Sequence, residues 1–367
     1  MNRTNPASSK RIETRFLVKT ASGAYGVTYK WNDTGTEAFL VPEAGEEFNL
    51  TVTNASVTST QRYHIPSRAE CLNCHTPESG SVLSFSTRQL NRTNTTLAGL
   101  SGNFLTLLDN AGYLAGLNES PNLLPRHVRP DESQYSLEAR VRSYLAVNCA
   151  YCHHAGVGPP SWDGSPQLNL WDTHLVNGMP VAAGNDPSHR LVFPGDPSKS
   201  IVWNRMAATN SYTRMPPIAT TERDLAAMQL VYDWISTNLP TRMDYNAWRL
   251  AYFGNLVSPQ GERTANPDGD RDNNEAEYLK YSNPTNGFNF YTPSMTTRSN
   301  HLTLQLPNFA GRRITVKSSI DLGVLDPWTP RDISGNNGIP LATGQTNSLV
   351  VPATETKRFF QLFIQEE

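Results

Sequence analysis

All four cysteines of this 367-residue chain fall in two copies of one pattern, Cys71-Leu72-Asn73-Cys74-His75 and Cys149-Ala150-Tyr151-Cys152-His153. Cys-x-x-Cys-His is the arrangement that attaches a c-type haem. Two thiols reach the vinyl groups on one edge of a porphyrin, and the adjacent imidazole turns under the ring as proximal iron ligand. With four Cys and eight His in the chain, chance gives one such pattern in about one chain in a thousand. Two copies that use every cysteine therefore point to two covalently bound haem c groups. A zinc site built from both pairs and a thioredoxin-like dithiol are the rivals, and the His trailing each pair favours haem. Covalent attachment takes place outside the cytoplasm, so a periplasmic or extracellular location is expected. No cysteine remains for a disulfide.

The second motif has a candidate sixth ligand in Met215, which stands directly before Pro216 and Pro217, ahead of the last helix expected in that region. A thioether is a soft, weak ligand that favours ferrous iron and raises its potential, and the prolines would hold its loop in place. For the first motif the ligand opposite His75 is open. His64 stands seven residues before Cys71, His127 and Met179 are more distant alternatives, and the iron position could also be vacant. Six-coordinate iron suits electron exchange, whereas an open position suits binding of peroxide or oxygen.

A third constellation lies further on. Asn266, Asp268, Asp270, Asp272, Asn274 and Glu277 match ligand positions 1, 3, 5, 7, 9 and 12 of an EF-hand loop, Asp272 through its backbone carbonyl, and Ca²⁺ is the expected ion. Arg271 stands where the sharp turn usually takes Gly, and Asn266 replaces the usual Asp. Both are departures that would weaken the site.

The elements that must position these residues follow from composition and periodicity. Charged residues are only 17% of the chain, and 26 Pro and 24 Gly accompany much Asn, Ser and Thr, a balance that favours loops and β structure over long helices. The net charge of −2 argues against nucleic-acid binding or a polybasic membrane anchor, and no apolar run is long enough for a transmembrane segment. The first ten residues lack the apolar core of a signal peptide, so either a signal has been removed or the chain is part of a longer one.

Residues 1–66 carry short β-branched and aromatic runs at 15–20, 25–31, 38–41 and 48–53 and read as a β-sheet packed on the first haem segment. Residues 67–130 form that segment, with a helix over 102–112. Residues 131–240 show a helix over 135–148 running into Cys149, and a closing helix opened by the capping box Thr221 to Asp224. The order of helix, haem motif, long loops and closing helix is that of a class I cytochrome c domain. Residues 241–290 form a connector with the calcium loop. Residues 291–367 return to β at 301–306, 313–318 and 358–364, and read as an antiparallel β-sandwich. The expected fold class is thus α+β and multidomain: N-terminal β-sheet, mainly α-helical loop-rich dihaem core, C-terminal antiparallel β-sandwich.

Ser67 to His75, Arg88-Gln89-Leu90-Asn91, Arg142-Ser143-Tyr144-Leu145, Asn148 to His153 and Arg214 to Pro217 resemble a family of secreted bacterial dihaem cytochromes found beside or fused to PQQ-dependent sugar dehydrogenases. The likeness covers about residues 11–238. The two attachment motifs and the expected His/Met iron lead to a relay of electrons between a donor, a dehydrogenase or cytochrome, and an acceptor protein, with a homo-oligomer or filament protomer as a variant. A dihaem peroxidase-like enzyme with an open first haem is the alternative, and a module that docks through its β-sandwich is the third. No Ser/His/Asp pattern, phosphate-cradling Gly loop or paired catalytic carboxylates is seen.

Overall fold

The computed structural model describes residues 5–54, 56–77, 79–83, 85–93, 95–97, 99–155, 162–181, 186–209, 213–218, 220–298, 301–345, 347–352 and 358–367. The chain is α+β, 23% helical and 25% strand. In chain order the first strands are β1 (Glu13–Thr20), β2 (Gly23–Trp31), β3 (Ala38–Leu40), β4 (Glu46–Asn54) and β5 (Val57–Ile65). Then come α1 (Arg68–Cys71), α2 (Thr87–Leu90), β6 (Thr95–Leu97), β7 (Leu100–Gly102), α3 (Phe104–Asn110), α4 (Leu137–Asn148), α5 (Ile201–Ala207) and α6 (Leu225–Asp233). The last are α7 (Tyr245–Phe253), α8 (Asn274–Lys280), β8 (Ser294–Arg298), β9 (His301–Leu306), β10 (Arg312–Ser319), β11 (Thr329–Pro330), β12 (Asn347–Pro352) and β13 (Phe359–Glu366).

The chain divides into two compact units that are not consecutive in sequence. One comprises residues 1–84, 145–165 and 173–232, the other residues 85–144, 166–172 and 233–367. This partition differs from the five consecutive segments expected. Both Cys-x-x-Cys-His motifs fold into the first unit, and residues 85–144 fold with the C-terminal strands. Composition changes along a chain mark linear segments, whereas units are set by long-range contacts that composition does not report.

In the first unit β1, β2 and β3 form an antiparallel sheet in that order, and β4 pairs with β5 as a hairpin. β5 has no counterpart in the expected strands. It is largely Thr, Ser, Gln and Arg with its first four residues exposed, so it carries little of the alternation that marks a strand. β5 ends at the fully buried Ile65 and leads into α1, a single turn closed by a capping box between Ser67 and Glu70. Gly45 makes this junction possible: its φ is +80°, and a Cβ there would lie 2.4 Å from the Ile65 carbonyl oxygen. The helix expected from a box at Thr221 begins instead at Leu225, where Asp224 accepts the Ala227 amide at 3.0 Å.

In the second unit two three-stranded antiparallel sheets, β11-β10-β13 and β12-β9-β8, share one core. Leu304 and Leu306 of β9, Ile314 and Val316 of β10, and Leu349 and Val351 of β12 bury together. The alternation of buried and half-buried residues over 312–318 of β10 shows why: every second side chain points inward. A second cluster joins Tyr245 and Trp248 of α7 to Tyr278 of α8.

The heaviest buried charge in this unit is an ion pair between Glu138 of α4 and Arg242, each side chain 1% exposed, with Nε to Oε2 at 3.1 Å. Arg242 also donates to the Ala310 carbonyl and to Tyr281 Oη, at 2.8 and 2.7 Å, so its guanidinium is nearly saturated. Removing one partner strands the other without water. Glu138→Ala is therefore expected to cost about 3–5 kcal/mol of stability, whereas a Glu138→Met/Arg242→Met double variant recovers much of that loss. Denaturant unfolding followed by tryptophan fluorescence reads both; a double variant no better than the single one contradicts the assignment.

Candidate functional site

The two motifs adopt the same local backbone. Each begins at the end of a helix, α1 for Cys71 and α4 for Cys149, and each continues helically for one more turn. The His75 amide donates to the Cys71 carbonyl at 3.1 Å, and the His153 amide to the Cys149 carbonyl at 2.9 Å. Helical spacing puts residues i, i+3 and i+4 on one face, so two thiols and one imidazole face the same side, as porphyrin attachment requires.

The N-terminal sheet packs directly on the first motif, as expected. A Cβ on Gly26 of β2 would lie 2.8 Å from Cys71 Sγ, so the absence of a side chain at residue 26 creates the space in which that thiol sits. His75 Nδ1 lies 3.0 Å from the carbonyl oxygen of Ser81, a buried residue at φ +62°. With Nδ1 protonated and donating there, Nε2 presents its lone pair, the tautomer that ligates a metal.

Beneath the second motif His153 stacks on Trp162, centroids 4.9 Å apart and planes 20° from parallel. The His153 carbonyl accepts the Gly164 amide at 2.7 Å, and a side chain at 164 would strike Trp162 and Ala150. Burial, followed by the charge of Arg205, holds the His153 imidazole below its usual pKa and so in the neutral form a metal needs. Met215 is tethered to the same neighbourhood by its amide, which donates to the Arg205 carbonyl at 3.2 Å. Ser81, Gly26 and Trp162 carry no pattern that sequence reading could have singled out.

The two motifs meet. Cys74 Sγ and Cys152 Sγ are 3.3 Å apart, and Cys152 Sγ lies 3.6 Å from the Asn73 carbonyl. Among the described residues the cysteines and histidines do not gather into a metal-sized group. The one group whose ligand atoms all fall within 4.8 Å of each other is made of carboxylates, so the four thiols are not disposed as a zinc tetrathiolate.

His64 is placed differently from the expected iron ligand. On β5 it faces two carboxylates: Nε2 hydrogen-bonds to Glu70, 3.1 Å from Oε2, while Nδ1 lies 3.3 Å from Glu47 Oε1 without a hydrogen-bond partner. Met179 is 62% exposed, and His127 belongs to the other unit.

The acidic loop leads into α8. Carboxylate oxygens of Asp268, Asp270 and Glu277 lie within 4.8 Å of one another. Oδ2 of Asp268, Asp270 and Asp272, Oδ1 of Asn274 and both oxygens of Glu277 are buried without a hydrogen-bond partner, and oxygen is the ligand type Ca²⁺ takes. Burial, and then the charges of Asp268, Asp270 and Asp272, push the Glu277 carboxyl up to about 7. Asn266 is not among the inward-facing groups. Its Oδ1 accepts the Gly269 amide at 2.9 Å, and its Nδ2 donates to the Asp270 carbonyl at 2.7 Å, so it staples the loop. The left-handed turn falls at Gly269, φ +73°, two residues before the expected place. Arg271 therefore needs no unusual backbone and instead stacks on Phe290 at 4.5 Å. Asp272, expected to offer its carbonyl, buries its carboxylate and binds Lys280 Nζ at 2.6 Å.

No protein-family model matches this chain, and neither a curated protein nor a solved structure matches it.

The thiol pair makes a pH prediction. In the chain without haem, Cys152 hydrogen-bonds to Cys74 and lowers its pKa to about 7. Burial raises Cys71 and lifts Cys149 to about 12, and Cys152 is raised by donating to Cys74. Only a thiolate alkylates, so Cys74 reactivity rises as pH climbs through about 7, well before the other three. Iodoacetamide labelling followed by peptide mass spectrometry checks the order. Equal labelling of Cys74 and Cys149 at neutral pH would contradict the contact.

Proposed function

We propose that this chain is an extracytoplasmic dihaem c-type cytochrome that relays electrons between a donor, a dehydrogenase or another cytochrome, and an acceptor protein. The observation that carries the reading is the 3.3 Å separation of Cys74 and Cys152, which makes the attachment points of the two groups adjoin. Cys71, Cys74 and His75 would hold one haem and Cys149, Cys152 and His153 the other. When bound, haem supplies one-electron chemistry at each site. The chain's own residues do the tuning. Ser81 fixes the His75 tautomer, Trp162 fixes the plane of His153, and Met215 would complete the second iron's ligation. The cation of Arg205 beside His153 disfavours the more positive oxidised state, the same direction as a thioether ligand. The resemblance of the motif segments to secreted bacterial dihaem cytochromes supports this reading.

In the same reading residues 266–277 bind Ca²⁺ through Asp268, Asp270, Asp272, Asn274 and Glu277, and the two C-terminal sheets form a small antiparallel β-sandwich. The hydrogen bond of His64 Nε2 to Glu70 favours a second reading, a peroxidase-like protein whose first haem lacks a sixth protein ligand.

Chain expressed with a haem-attachment system is expected to carry two haems by pyridine haemochrome assay; bound zinc, or no covalent haem, overturns the proposal. Met215→Ala is expected to lower the potential of one haem by on the order of 100 mV and leave the other unchanged. A high-spin ferric signal together with peroxide turnover would select the enzyme reading. For the loop, Ca²⁺ at a hundredfold excess over its dissociation constant is expected to add about 2.7 kcal/mol of stability, and Glu277→Gln to abolish the gain. Thermal melts with and without EDTA measure both.

A further inference from the structure

The second unit contains a cavity of about 740 Å³, within the range of pockets that hold small ligands. Three guanidiniums from separate elements face it: Arg88 of α2, Arg142 of α4 and Arg313 of β10. All three are half-buried. Arg142 donates to the Leu168 carbonyl, and among the described residues none of the three is within ion-pair distance of a carboxylate.

They are close enough to repel. Burial, and then the charges of Arg313 and Arg142, bring Arg88 down to about 10, far from the ordinary guanidinium range. His127, whose amide donates to the Arg88 carbonyl at 3.0 Å, is driven down to about 4 by burial and by Arg88, so its imidazole is neutral at physiological pH. The other cations on the wall are spent. Arg126 pairs with Glu132 and Arg263 with Glu275. Glu366 is engaged by Arg312 and Tyr278. Two further carboxylates lie on the wall: Asp172 accepts from Asn169 Nδ2 at 2.6 Å, and Glu367 interacts at longer range with Arg142 and Arg313 and is itself raised by burial and by Glu138.

Three cations without an ion-pair partner thus converge on one cavity in a chain whose net charge is −2. Composition does not explain that concentration, and folding gains nothing from desolvating unpaired guanidiniums. Val128, Leu279, Ile339 and Phe363 supply apolar wall between the charged groups, a surface for a short carbon skeleton.

We propose that this cavity binds a small polyanion, a molecule bearing two or more carboxylate or phosphate groups, held in the forks of Arg88, Arg142 and Arg313. Guanidinium is the side chain whose planar donor pairs match both oxyanions bidentately. The site is independent of the haem reading, because every residue that lines it belongs to the second unit.

Isothermal titration of the full haem-loaded chain with citrate, with pyrophosphate and with neutral glucose tests the proposal. One of the two anions is expected to bind at one site per chain, with affinity falling as ionic strength rises, and glucose not at all. Which anion binds decides between a polycarboxylate and a phosphate ligand. Arg88→Gln and Arg313→Gln are each expected to weaken binding about tenfold or more, whereas Arg62→Gln, on the exposed face of β5, leaves it unchanged. Because each cavity variant relieves repulsion, its melting temperature in the absence of anion is expected to hold or rise, which separates lost binding from lost folding. No saturable binding of either anion at millimolar concentration, or binding equal in wild type and both cavity variants, overturns the proposal.

Discussion

The first unit is organised around the contact between Cys74 and Cys152, two side chains from opposite ends of a long sequence interval. Bringing them to 3.3 Å sets demands on everything nearby. α1 must end at Cys71 and α4 at Asn148, so that each thiol pair emerges on the last exposed turn. The β2 backbone must come close enough that residue 26 has no side chain, and the turn after β5 must pass over Gly45. These are conditions on backbone position rather than on hydrophobic burial. They explain how a unit rich in loops and Asn, Ser and Thr keeps definite geometry around its two motifs.

The second unit solves a different problem, the management of charge out of water. Glu138 and Arg242 show a compensated solution, with both charges buried, bonded to each other and the guanidinium completed by a carbonyl and a phenol. Arg312 is another. It lies over the Tyr278 ring at 4.4 Å, donates to the Tyr278 carbonyl at 3.1 Å and faces Glu366. Against these the acidic loop and the arginine cavity stand out, since in each the like charges outnumber their partners. Burial of that kind raises the energy of the folded chain unless something of opposite sign enters.

The local backbone of the candidate sites was more legible in the sequence than the fold that presents it. Cys-x-x-Cys-His is a local pattern, and its backbone turn is local as well, so both motifs were readable without tertiary information. The acidic loop was readable in outline for the same reason, but not in detail: the displacement of the turn to Gly269 depends on how Asn266 closes the loop. α3 and α4 were found to within a few residues of their ends. The units were not legible, because residues 85–144 join strands hundreds of positions later through contacts that leave no periodic trace. His64 looked available because its nearest sequence neighbours are neutral or aromatic. The two carboxylates that hold it arrive from the paired strand and from the following turn.

The contrast between compensated and uncompensated groups also separates scaffold from site. A structural ion pair is closed, with each partner satisfied by the other and by fixed dipoles, so that nothing further is needed. The six unpartnered oxygens of residues 268–277, the adjoining thiols of Cys74 and Cys152 and the three facing guanidiniums are open in this sense. Each set is homogeneous in chemical type: hard oxygen, soft sulfur, cationic nitrogen. A chain folded for stability alone would have mixed these types so that they neutralised one another, as it does at Glu138 and Arg242. Their segregation into three separate places is a physical difference from the mixed, self-neutralising arrangement at Glu138 and Arg242.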